Sequence, residues 1–325
     1  MQTSTSSHMM PTPPQTMKAA RIHRFGPPDV IRYEDVSRPK PDAGQVVVRV
    51  QAAGVGPWDA WVRAGKSALP QPLPLTLGAD LSGVVDSVGL GVADLRPGDA
   101  VYGVTNAHFT GAYAEYALAT ATMLAPKPKT LGHVQAASVP VVAITAWQML
   151  FDYAQVTAGQ TVLIHGAAGN VGAYAVQLAK LSGVHVAATA AAQDLEYVHT
   201  LGAHEVLDFR STRFEEVVQG VDAVLDTVGG ATQTRSYSVL KPGGILISSV
   251  SEPDQEQVRY HGVRARFFLV QVTTAGLNRI AALLEAGHLR TAVGEVLSLD
   301  QARTAHEMLE GKPHKRGKIV LKVAD

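Results

Sequence analysis

Cysteine is absent from this chain of 325 residues. Its absence excludes disulfide bonds, thiolate nucleophiles and every metal site that depends on a cysteine ligand. The 12 histidines are scattered, with no H-x-x-x-H or similar pair at ligand spacing near the motifs described below. A zinc site needs about three protein donors held together in space. We therefore expect no metal centre.

An excess of charge of either sign is also lacking, because Lys plus Arg and Asp plus Glu number 28 each. No net field would attract nucleic acid or an anionic membrane surface. No apolar run approaches the roughly 20 residues needed to cross a bilayer, and no basic segment followed by an apolar one opens the chain. We expect a cytoplasmic protein with neither a nucleic-acid nor a membrane partner.

The overall composition is that of an ordinary globular protein, with 46% hydrophobic and 17% charged residues. The length allows two domains with their own cores. Residues 1–16, MQTSTSSHMMPTPPQT, are polar and rich in proline. We expect a disordered N-terminal extension there, with folded structure beginning near Met17.

The most informative segment is TVLIHGAAGNVGAYAVQLAKLSG at residues 161–183. A strand-forming run leads into a turn in which Gly166, Gly169 and Gly172 recur, and an apolar helical series follows. Glycine lets a backbone approach phosphates closely and lets the helix pack on the sheet, and a helix N-terminus favours an anion. The spacing is G-x-x-G-x-x-G, without the Lys-Ser/Thr ending of a P-loop. With two further strand-like runs downstream, it predicts a dinucleotide site.

The end of the second strand indicates which dinucleotide binds. An NAD site usually places Asp or Glu there to accept hydrogen bonds from the ribose, whereas this strand ends in Thr189, Ala190 and two more alanines. Because no carboxylate would repel a 2′-phosphate, the sequence favours NADPH. Arg210, just beyond the run at 205–209, either reaches back to that phosphate or is a solvated loop arginine.

The chain divides into segments of two kinds. Residues 17–130 contain short β-type runs broken by Gly and Pro, which predicts a β-rich, barrel-like domain. Residues 131–272 alternate strands and helices, which predicts a parallel, doubly wound Rossmann-type sheet, and residues 273–325 are expected to return to the first domain. The fold class is therefore α/β, with a ligand cleft between the domains. The clearest elements are strands at 46–50, 81–88, 100–104, 112–117, 184–189, 205–209, 221–226 and 317–323, strands at Ile245 and Arg266, and helices at 134–151, 280–286 and 299–309.

Six short segments occur in a recognisable order. They are AAGVGPWDAWVRAG at 52–65, LGADLSGVVDSVG at 77–89, GDAVYG at 98–103, GAYAEYA at 111–117, AAGNVG at 167–172 and LKPGGILI at 240–247. Together they resemble the zinc-independent quinone oxidoreductases, the zeta-crystallin-like family of the medium-chain dehydrogenase/reductase superfamily. The resemblance implies a GroES-like domain, a Rossmann domain, NADPH as hydride donor and often a homodimer joined at the edge of the Rossmann sheet.

A comparison with the zinc-dependent alcohol dehydrogenases of that superfamily concerns the metal. Gly56 stands where those proteins place a zinc cysteine, and Gly78, Ala79 and Asp80 stand where they carry Gly-His-Glu. Alcohol oxidation needs a device such as zinc to take up alkoxide charge, whereas a quinone or an enone spreads the charge onto its own oxygen. The resemblance therefore implies metal-free hydride transfer, with the protein supplying position, hydrogen bonds and exclusion of water.

The resemblance also indicates catalytic candidates. Trp61 stands where the family commonly has a tyrosine facing the nicotinamide, although a core tryptophan is the alternative. Gly56 replaces an asparagine and removes a carbonyl-polarising donor. Asp59 matches a common family acid or is an N-cap for the following helix, and Thr145 either faces the nicotinamide from below or is only packed and back-bonded.

The coenzyme candidates lie at the phosphate turn, near the adenosine, after a later strand end, and at the segment that meets the carboxamide in relatives. They are Ala168, Gly169, Asn170, Val171, Thr189, Ala190, Phe209, Arg210, Ser249, Val250, Ser251, Phe267 and Phe268. The two phenylalanines also fit a hydrophobic strand at a dimer edge. No general acid stands out, since Lys66, His108, Tyr113 or bulk water could each deliver a proton.

The sequence thus predicts an NADPH-dependent, metal-free oxidoreductase that reduces small-molecule quinones or α,β-unsaturated carbonyls. Two alternatives stay open. One is an NADPH-binding structural or sensing protein with little turnover, which Gly56 and Trp61 favour because both depart from the family pattern. The other is a zinc-type alcohol dehydrogenase, which elemental analysis for zinc would distinguish.

Overall fold

The computed structural model describes residues 15–324, and within them the chain forms three β-sheets surrounded by helices. The expected extension at 1–16 falls mostly on residues 1–14, which lie outside the described residues. The strands in chain order are β1 (Thr16–Ile22), β2 (Arg32–Ser37), β3 (Gln45–Val55), β4 (Leu75–Thr76), β5 (Asp80–Val88), β6 (Ala100–Val104), β7 (Tyr116–Thr120), β8 (Leu124–Pro126), β9 (Thr161–Ile164), β10 (His185–Ala190), β11 (Glu205–Asp208), β12 (Val221–Asp226), β13 (Leu240–Ser248), β14 (Arg264–Phe267), β15 (Val293–Ser298) and β16 (Lys318–Lys322). The α-helices are α1 (Pro57–Arg63), α2 (His133–Ala137), α3 (Pro140–Trp147), α4 (Asn170–Leu181), α5 (Leu195–Leu201), α6 (Phe214–Val217), α7 (Gly230–Ser236), α8 (Gln255–His261), α9 (Thr274–Glu285) and α10 (Ala302–Leu309).

The six strands β9 to β14 form one parallel sheet, in the spatial order β11-β10-β9-β12-β13-β14. The central strand β9 is almost wholly apolar and buried, as expected when helices cover both faces of a parallel sheet. This order is the doubly wound Rossmann arrangement, in which a ligand lies across the carboxyl edge where the strand order reverses. The predicted α/β class and Rossmann-type sheet are confirmed.

A second, seven-stranded sheet has the order β15-β16-β3-β5-β6-β8, and β7 pairs with β3. The long strand β3 is buried along most of its length and pairs with β5, β7 and β16. Because β16 near the C-terminus pairs antiparallel with β3, the chain returns to this sheet after the Rossmann sheet is complete. A three-stranded sheet, β2-β1-β4, lies beside it.

Two element predictions need correction. The strand expected at 112–117 begins only at Tyr116, because the preceding residues form a loop that makes a single bridge between Ala114 and Ala19. The helix expected at 134–151 is interrupted, since α2 ends at Ala137 and Pro140 begins α3. Proline has no N–H to continue a preceding helix but fits a first turn.

A fully buried ion pair connects the seven-stranded sheet to the helix α3. Asp80 of β5 and Lys318 of β16 are 0% and 1% exposed, with 2.9 Å between Oδ2 and Nζ. The other carboxylate oxygen of Asp80 accepts a hydrogen bond from the Val141 amide in the first turn of α3 (3.0 Å). One carboxylate therefore joins two strands and a helix, and it stabilises the N-terminus of α3 as an anion.

We predict that Lys318→Met lowers the free energy of unfolding by about 3–5 kcal/mol, because it leaves the Asp80 carboxylate buried without a counter-charge. Chemical denaturation at neutral pH measures the loss. The double variant Asp80→Asn/Lys318→Met removes both charges and keeps an acceptor for the Val141 amide, so it should recover most of that loss. Equal stability of Lys318→Met and the unaltered chain would contradict the assignment.

Candidate active site

The turn between β9 and α4 has a shape that only glycine permits. Gly166 has φ +68°, in the left-handed region that L-residues rarely adopt. A Cβ at Gly172 would lie 2.3 Å from the carbonyl oxygen of Gly166 and 2.7 Å from the Cα of Ala167. Glycine at these two positions therefore brings the start of α4 onto the turn, which is the close packing that a phosphate-binding turn needs.

The N-terminus of α4 is open to a ligand. Gly169 is its N-cap, and no side chain caps the first turn, so its early amides keep their hydrogen-bonding capacity for an anion. Beside it lies a cavity whose lining includes Gly169, Asn170, Tyr197, Arg290 and Gly317. These residues come from both sides of the molecule. The cavity is small, about 10 Å³, and the uncapped helix N-terminus beside Arg290 has the chemistry of an anion site.

A buried aspartate organises the next part of the sheet edge. Asp226, at the end of β12, accepts hydrogen bonds from the amides of Val228 (3.0 Å) and Gly229 (2.7 Å) and from Gln233 Nε2 (2.9 Å). It also accepts one from Ser248 Oγ at the end of β13 (2.8 Å). Since all these partners converge on one carboxylate, the loop after β12 is held in a fixed shape before any ligand binds.

The same network reaches the predicted coenzyme residues after β13. Ser248 Oγ accepts hydrogen bonds from the amides of Val250 and Ser251, both at 3.2 Å. Ser251 Oγ in turn contacts Gln233 Nε2 at 3.1 Å. Ser249, Val250 and Ser251 therefore lie in a loop that the buried polar groups of β12 and β13 position at the carboxyl edge.

His165 lies between β9 and the glycine turn, and its side chain is fully buried. Its ring nitrogens hydrogen-bond with Thr189 Oγ1 and Ser236 Oγ, both at 2.9 Å. Burial lowers the pKa of His165 to about 4, so the ring is neutral at physiological pH. The Thr189 hydroxyl is therefore engaged with this ring, and Thr189 and its neighbour Ala190 are both buried.

The remaining coenzyme candidates lie along the same edge. Ala168, Asn170 and Val171 form the turn and the first turn of α4. Phe209 is 54% exposed just after β11, and the Arg210 guanidinium lies 5.6 Å from its ring centroid. At the far end, Phe268 packs on Tyr153 with the ring centroids 4.5 Å apart. Phe267 closes β14, so these candidates all follow carboxyl ends of strands in one sheet.

Two carboxylates lie near the end of β10, beyond the alanines on which the NADPH prediction rests. Asp208 of β11 lies opposite Ala190 in the sheet register, and its side chain accepts from the Arg210 amide and from Ser211 Oγ. Asp194 follows β10 and precedes α5. The linear sequence did not reveal them, because one comes from a neighbouring strand and the other lies beyond a short turn.

The helix α1 contains several of the catalytic candidates, and Gly56 is its N-cap. A Cβ at Gly56 would lie 2.3 Å from the indole of Trp58, so this indole fills the space that a larger residue would use. The Lys318 ammonium lies 4.1 Å from the centroid of the same ring, a cation–π contact. Trp58, which the sequence argument passed over, is therefore the aromatic residue that covers the buried Asp80–Lys318 pair.

Asp59 is fully buried in the first turn of α1. Its Oδ2 accepts hydrogen bonds from the Gly56 amide (2.8 Å) and the Tyr113 hydroxyl (2.9 Å), whereas Oδ1 has no partner. Burial raises the pKa of Asp59 to about 7, against the lowering effects of the Gly56 amide and the Lys318 charge. Asp59 is thus not the N-cap but the acceptor in the first turn, and its carboxyl readily holds a proton.

The other catalytic candidates have simpler surroundings. Trp61 is 44% exposed, so the alternative of a core tryptophan is wrong. Thr145 is buried on α3, and its hydroxyl donates to the Val141 carbonyl (2.7 Å). Of the suggested proton sources, Tyr113 is fully buried and already donates to Asp59, whereas Lys66 and His108 are exposed.

Zinc ligands are missing at the positions that match those of the zinc-dependent alcohol dehydrogenases. Gly56 and Ala79 offer no side-chain ligand, and Asp80 is already engaged by Lys318 and the Val141 amide. Throughout residues 15–324, no group of three or more His, Cys, Asp or Glu side chains is placed to hold a metal ion. The residues present do not fit a zinc centre.

Comparisons with known proteins agree with this architecture. Residues 42–129 match the alcohol dehydrogenase GroES-like domain, and residues 201–321 match a family described as zinc-binding dehydrogenase. The pig quinone oxidoreductase is 32% identical over 96% of this chain and 99% of its own. The quinone oxidoreductase structure from Coxiella burnetii is 34% identical, covers 95% of this chain and 99% of its own, and has a TM-score of 0.88.

The chain belongs to the quinone oxidoreductase-like medium-chain dehydrogenases/reductases. It is therefore an oxidoreductase with a GroES-like domain and a Rossmann-type domain, and membership implies a nicotinamide coenzyme. A mycobacterial relative solved in complex with NADPH is 29% identical, covers 94% of this chain and 99% of its own, and has a TM-score of 0.84. None of the helices within residues 15–324 has the length and apolar character needed to cross a membrane.

We predict that Asp59→Asn stabilises the protein more at pH 8 than at pH 5. The asparagine oxygen can accept both hydrogen bonds of Oδ2, and no buried charge remains. Because the pKa of Asp59 in the folded protein is about 7, above its ordinary 3.8, the stability that the protonated carboxyl contributes is fully present below the ordinary pKa and is lost progressively as the pH rises to the folded pKa. The difference at pH 8 should be on the order of 2–4 kcal/mol.

Thermal unfolding of the two proteins from pH 5 to pH 8 measures this difference, and the buried histidines cancel because both proteins contain them. Asp59→Ala is the matched control, since it removes the acceptor and should destabilise at every pH. A difference between Asp59→Asn and the parent that does not change with pH would exclude ionisation of this carboxyl.

Proposed function

We propose that the protein is an NADPH-dependent, metal-free reductase of quinones or α,β-unsaturated carbonyls. The observation that carries the proposal concerns the positions that match the zinc ligands of the alcohol dehydrogenases. Gly56 and Ala79 offer no ligand there, and Trp58 covers the paired Asp80 and Lys318. Without a Lewis acid to hold an alkoxide, the acceptor must carry the developing charge itself. Quinones and conjugated enones do so, and the similarity to quinone oxidoreductases supports the first class.

The coenzyme, when bound, supplies the hydride. The turn residues Ala168, Gly169, Asn170 and Val171 would hold its pyrophosphate, and the loop from Ser249 to Ser251 would lie along its nicotinamide half. We assign the adenosine side to Thr189, Ala190, Phe209 and Arg210, and the carboxamide side to Phe267 and Phe268. The glycine geometry, the uncapped α4 and the fixed loop after β13 support this placement.

On the opposite wall, Trp58 and the buried residues of α1 and α3 would exclude water from the reacting atoms. We assign Gly56, Asp59, Trp61 and Thr145 to the nicotinamide and substrate region. The Trp58 indole fills the space beside Gly56 and would present an apolar face to a planar acceptor. The Thr145 hydroxyl donates to Val141 in this structure, and Asp59, whose pKa is about 7, can hold or release a proton near neutral pH.

The activity test follows NADPH absorbance with a panel of quinones and enones, with NADH in parallel. We expect turnover of at least one acceptor class by hydride transfer from NADPH, and no change in rate after dialysis against a chelator. A lack of turnover with every acceptor, in protein shown to bind NADPH, would contradict the reductase assignment. Loss of rate on chelation, restored by zinc, would contradict the metal-free chemistry.

A second candidate is an NADPH-binding structural or sensing protein with little turnover. The indole of Trp58 at the position that Gly56 leaves open favours it, since Gly56 has no side chain that polarises a carbonyl. Calorimetric binding of NADPH without turnover would support this candidate. In that case Trp58→Ala, which opens the space, should not create activity either.

We also propose a cytoplasmic homodimer, with Rossmann residues 131–272 inserted between residues 17–130 and 273–325. Strand β14 is at the edge of the six-stranded sheet, with only β13 as its neighbour in the described chain. Its open side could pair with a second copy of β14. Light scattering of the purified chain measures the mass, and a monomer at micromolar concentration would contradict the dimer.

A further inference from the structure

We propose that Trp58 is a catalytic residue, and that its indole N–H donates a hydrogen bond to the carbonyl oxygen of the acceptor. The inference rests on the proposed reductase function. It names the side chain that holds the acceptor oxygen while negative charge develops there, and the sequence analysis did not select this residue.

The indole N–H of Trp58 is a buried donor without a partner. Its Nε1 atom is buried and makes no hydrogen bond to any residue within 15–324. The nitrogen of an indole can only donate, and a buried one usually finds an acceptor. Because a buried donor without an acceptor is costly to the fold, a carbonyl oxygen bound beside it would supply the missing partner.

The indole ring of Trp58 lies beside the catalytic candidates. Cε2, the ring carbon bonded to Nε1, is 2.6 Å from the position that a Cβ on Gly56 would take. The ring also packs against a hydrophobic cluster with members from both main sheets, among them Val104 of β6 and Ile164 of β9. The N–H therefore lies close to Gly56, in the region where the two sheets meet.

The other polar side chains around this position are already engaged. The Tyr113 hydroxyl donates to Asp59 (2.9 Å), and the Thr145 hydroxyl donates to the Val141 carbonyl (2.7 Å). The Lys318 ammonium is paired with Asp80. Compared with these described groups, the indole N–H is the donor that remains for a ligand.

The Lys318 ammonium strengthens the donor. It lies 4.1 Å from the centroid of the Trp58 ring. A cation at the face of an indole polarises the ring, and a polarised N–H is a stronger hydrogen-bond donor. Since the ring also packs against the backbone at Gly56, the donor is oriented before an acceptor binds, which is the condition for effective stabilisation of a developing charge.

The hydrogen bond acts on the electron pair that hydride transfer displaces. With the reduced coenzyme as reductant, one C–H bond forms on the acceptor, one π bond breaks, and an electron pair moves onto the carbonyl oxygen. The N–H of Trp58 would hold that oxygen without giving up its proton, and a solvent proton completes the product. Trp58 thus supplies the donor that Gly56 lacks. Because the bond strengthens as charge develops, it should act mainly on kcat.

The kinetic test compares Trp58→Phe with the parent chain, using the acceptor that the parent reduces. The variant keeps an aromatic ring beside Lys318 and removes the N–H. We expect kcat to fall on the order of a hundredfold, the size of the loss when one oxyanion donor is removed. The KM for the acceptor should change much less than kcat.

Trp147→Phe is the matched control, since it makes the same change elsewhere. Nε1 of Trp147 is also buried without a partner, but its ring contacts Phe151 at 4.5 Å and the Arg279 guanidinium at 4.6 Å. This variant should keep the kcat of the parent. Both variants should bind NADPH with the affinity of the parent by calorimetry, which shows that the fold and the coenzyme site are intact.

A spectroscopic test uses the unaltered chain. Its three tryptophans give three indole signals in a ¹⁵N-edited NMR spectrum, and the two variants assign those of Trp58 and Trp147. With NADP⁺ in place of NADPH, no hydride is available. Naphthoquinone or cyclohexenone should then move the Trp58 signal downfield, as expected when an N–H gains an acceptor, and leave the Trp147 signal in place. Naphthalene and cyclohexene, which lack the carbonyl, should not cause this shift.

Three outcomes would overturn the proposal. They are a parent-like kcat in Trp58→Phe, an equal loss of kcat in Trp147→Phe, and a Trp58 signal that moves with neither carbonyl compound. The NMR result does not depend on how well a variant folds. If the parent reduces no acceptor at all, the reductase assignment fails, and the indole signal still decides whether Trp58 meets a carbonyl oxygen.

Discussion

The arrangement of the two main sheets depends on the carboxylate of Asp80. Burying a charge is costly, and a buried ion pair contributes to a fold mainly through the geometry that it enforces. Here Asp80 can be satisfied only where Lys318 of the last strand and the first turn of α3 meet β5. The return of the chain to the seven-stranded sheet and the docking of α3 are therefore coupled. Trp58 completes this unit, because its ring packs against the Lys318 ammonium.

The sequence alone predicted the parts of the fold that depend on local pattern. The glycine turn, the strands β6, β9, β10 and β12, and the alternation that produces the parallel sheet all follow from period and turn chemistry. The edge strands β2 and β15 were missed, since they have half-exposed, mixed sequences without a clear apolar alternation. The strand β1 was also missed, although it is the central strand of its sheet and largely buried. The helix before β9 was predicted as continuous, because Pro140 was not weighed as the start of a new helix.

The candidate site divides in the same way. Backbone features such as the turn at Gly166 and Gly172 were predictable, because glycine leaves a signature in sequence. Side-chain pairs were not, since Asp80 and Lys318, for example, are far apart in the chain and meet only through the crossover to the last sheet. The role of Trp58 was hidden for another reason. It follows only from the structure, in which the Trp58 indole fills the space beside Gly56.

These features place different physical demands on the two sides of the cleft. On the Rossmann side, Asp226 with its four partners holds the loops before a ligand arrives, so little conformational entropy remains to be lost on binding. On the opposite side, Asp80 pairs with Lys318, Asp59 accepts from the Gly56 amide and the Tyr113 hydroxyl, and the Trp58 indole packs beside Gly56. In the function that we propose, this arrangement favours an acceptor that stabilises its own negative charge. The chemistry of the site thus follows from which polar groups are already satisfied in the folded chain.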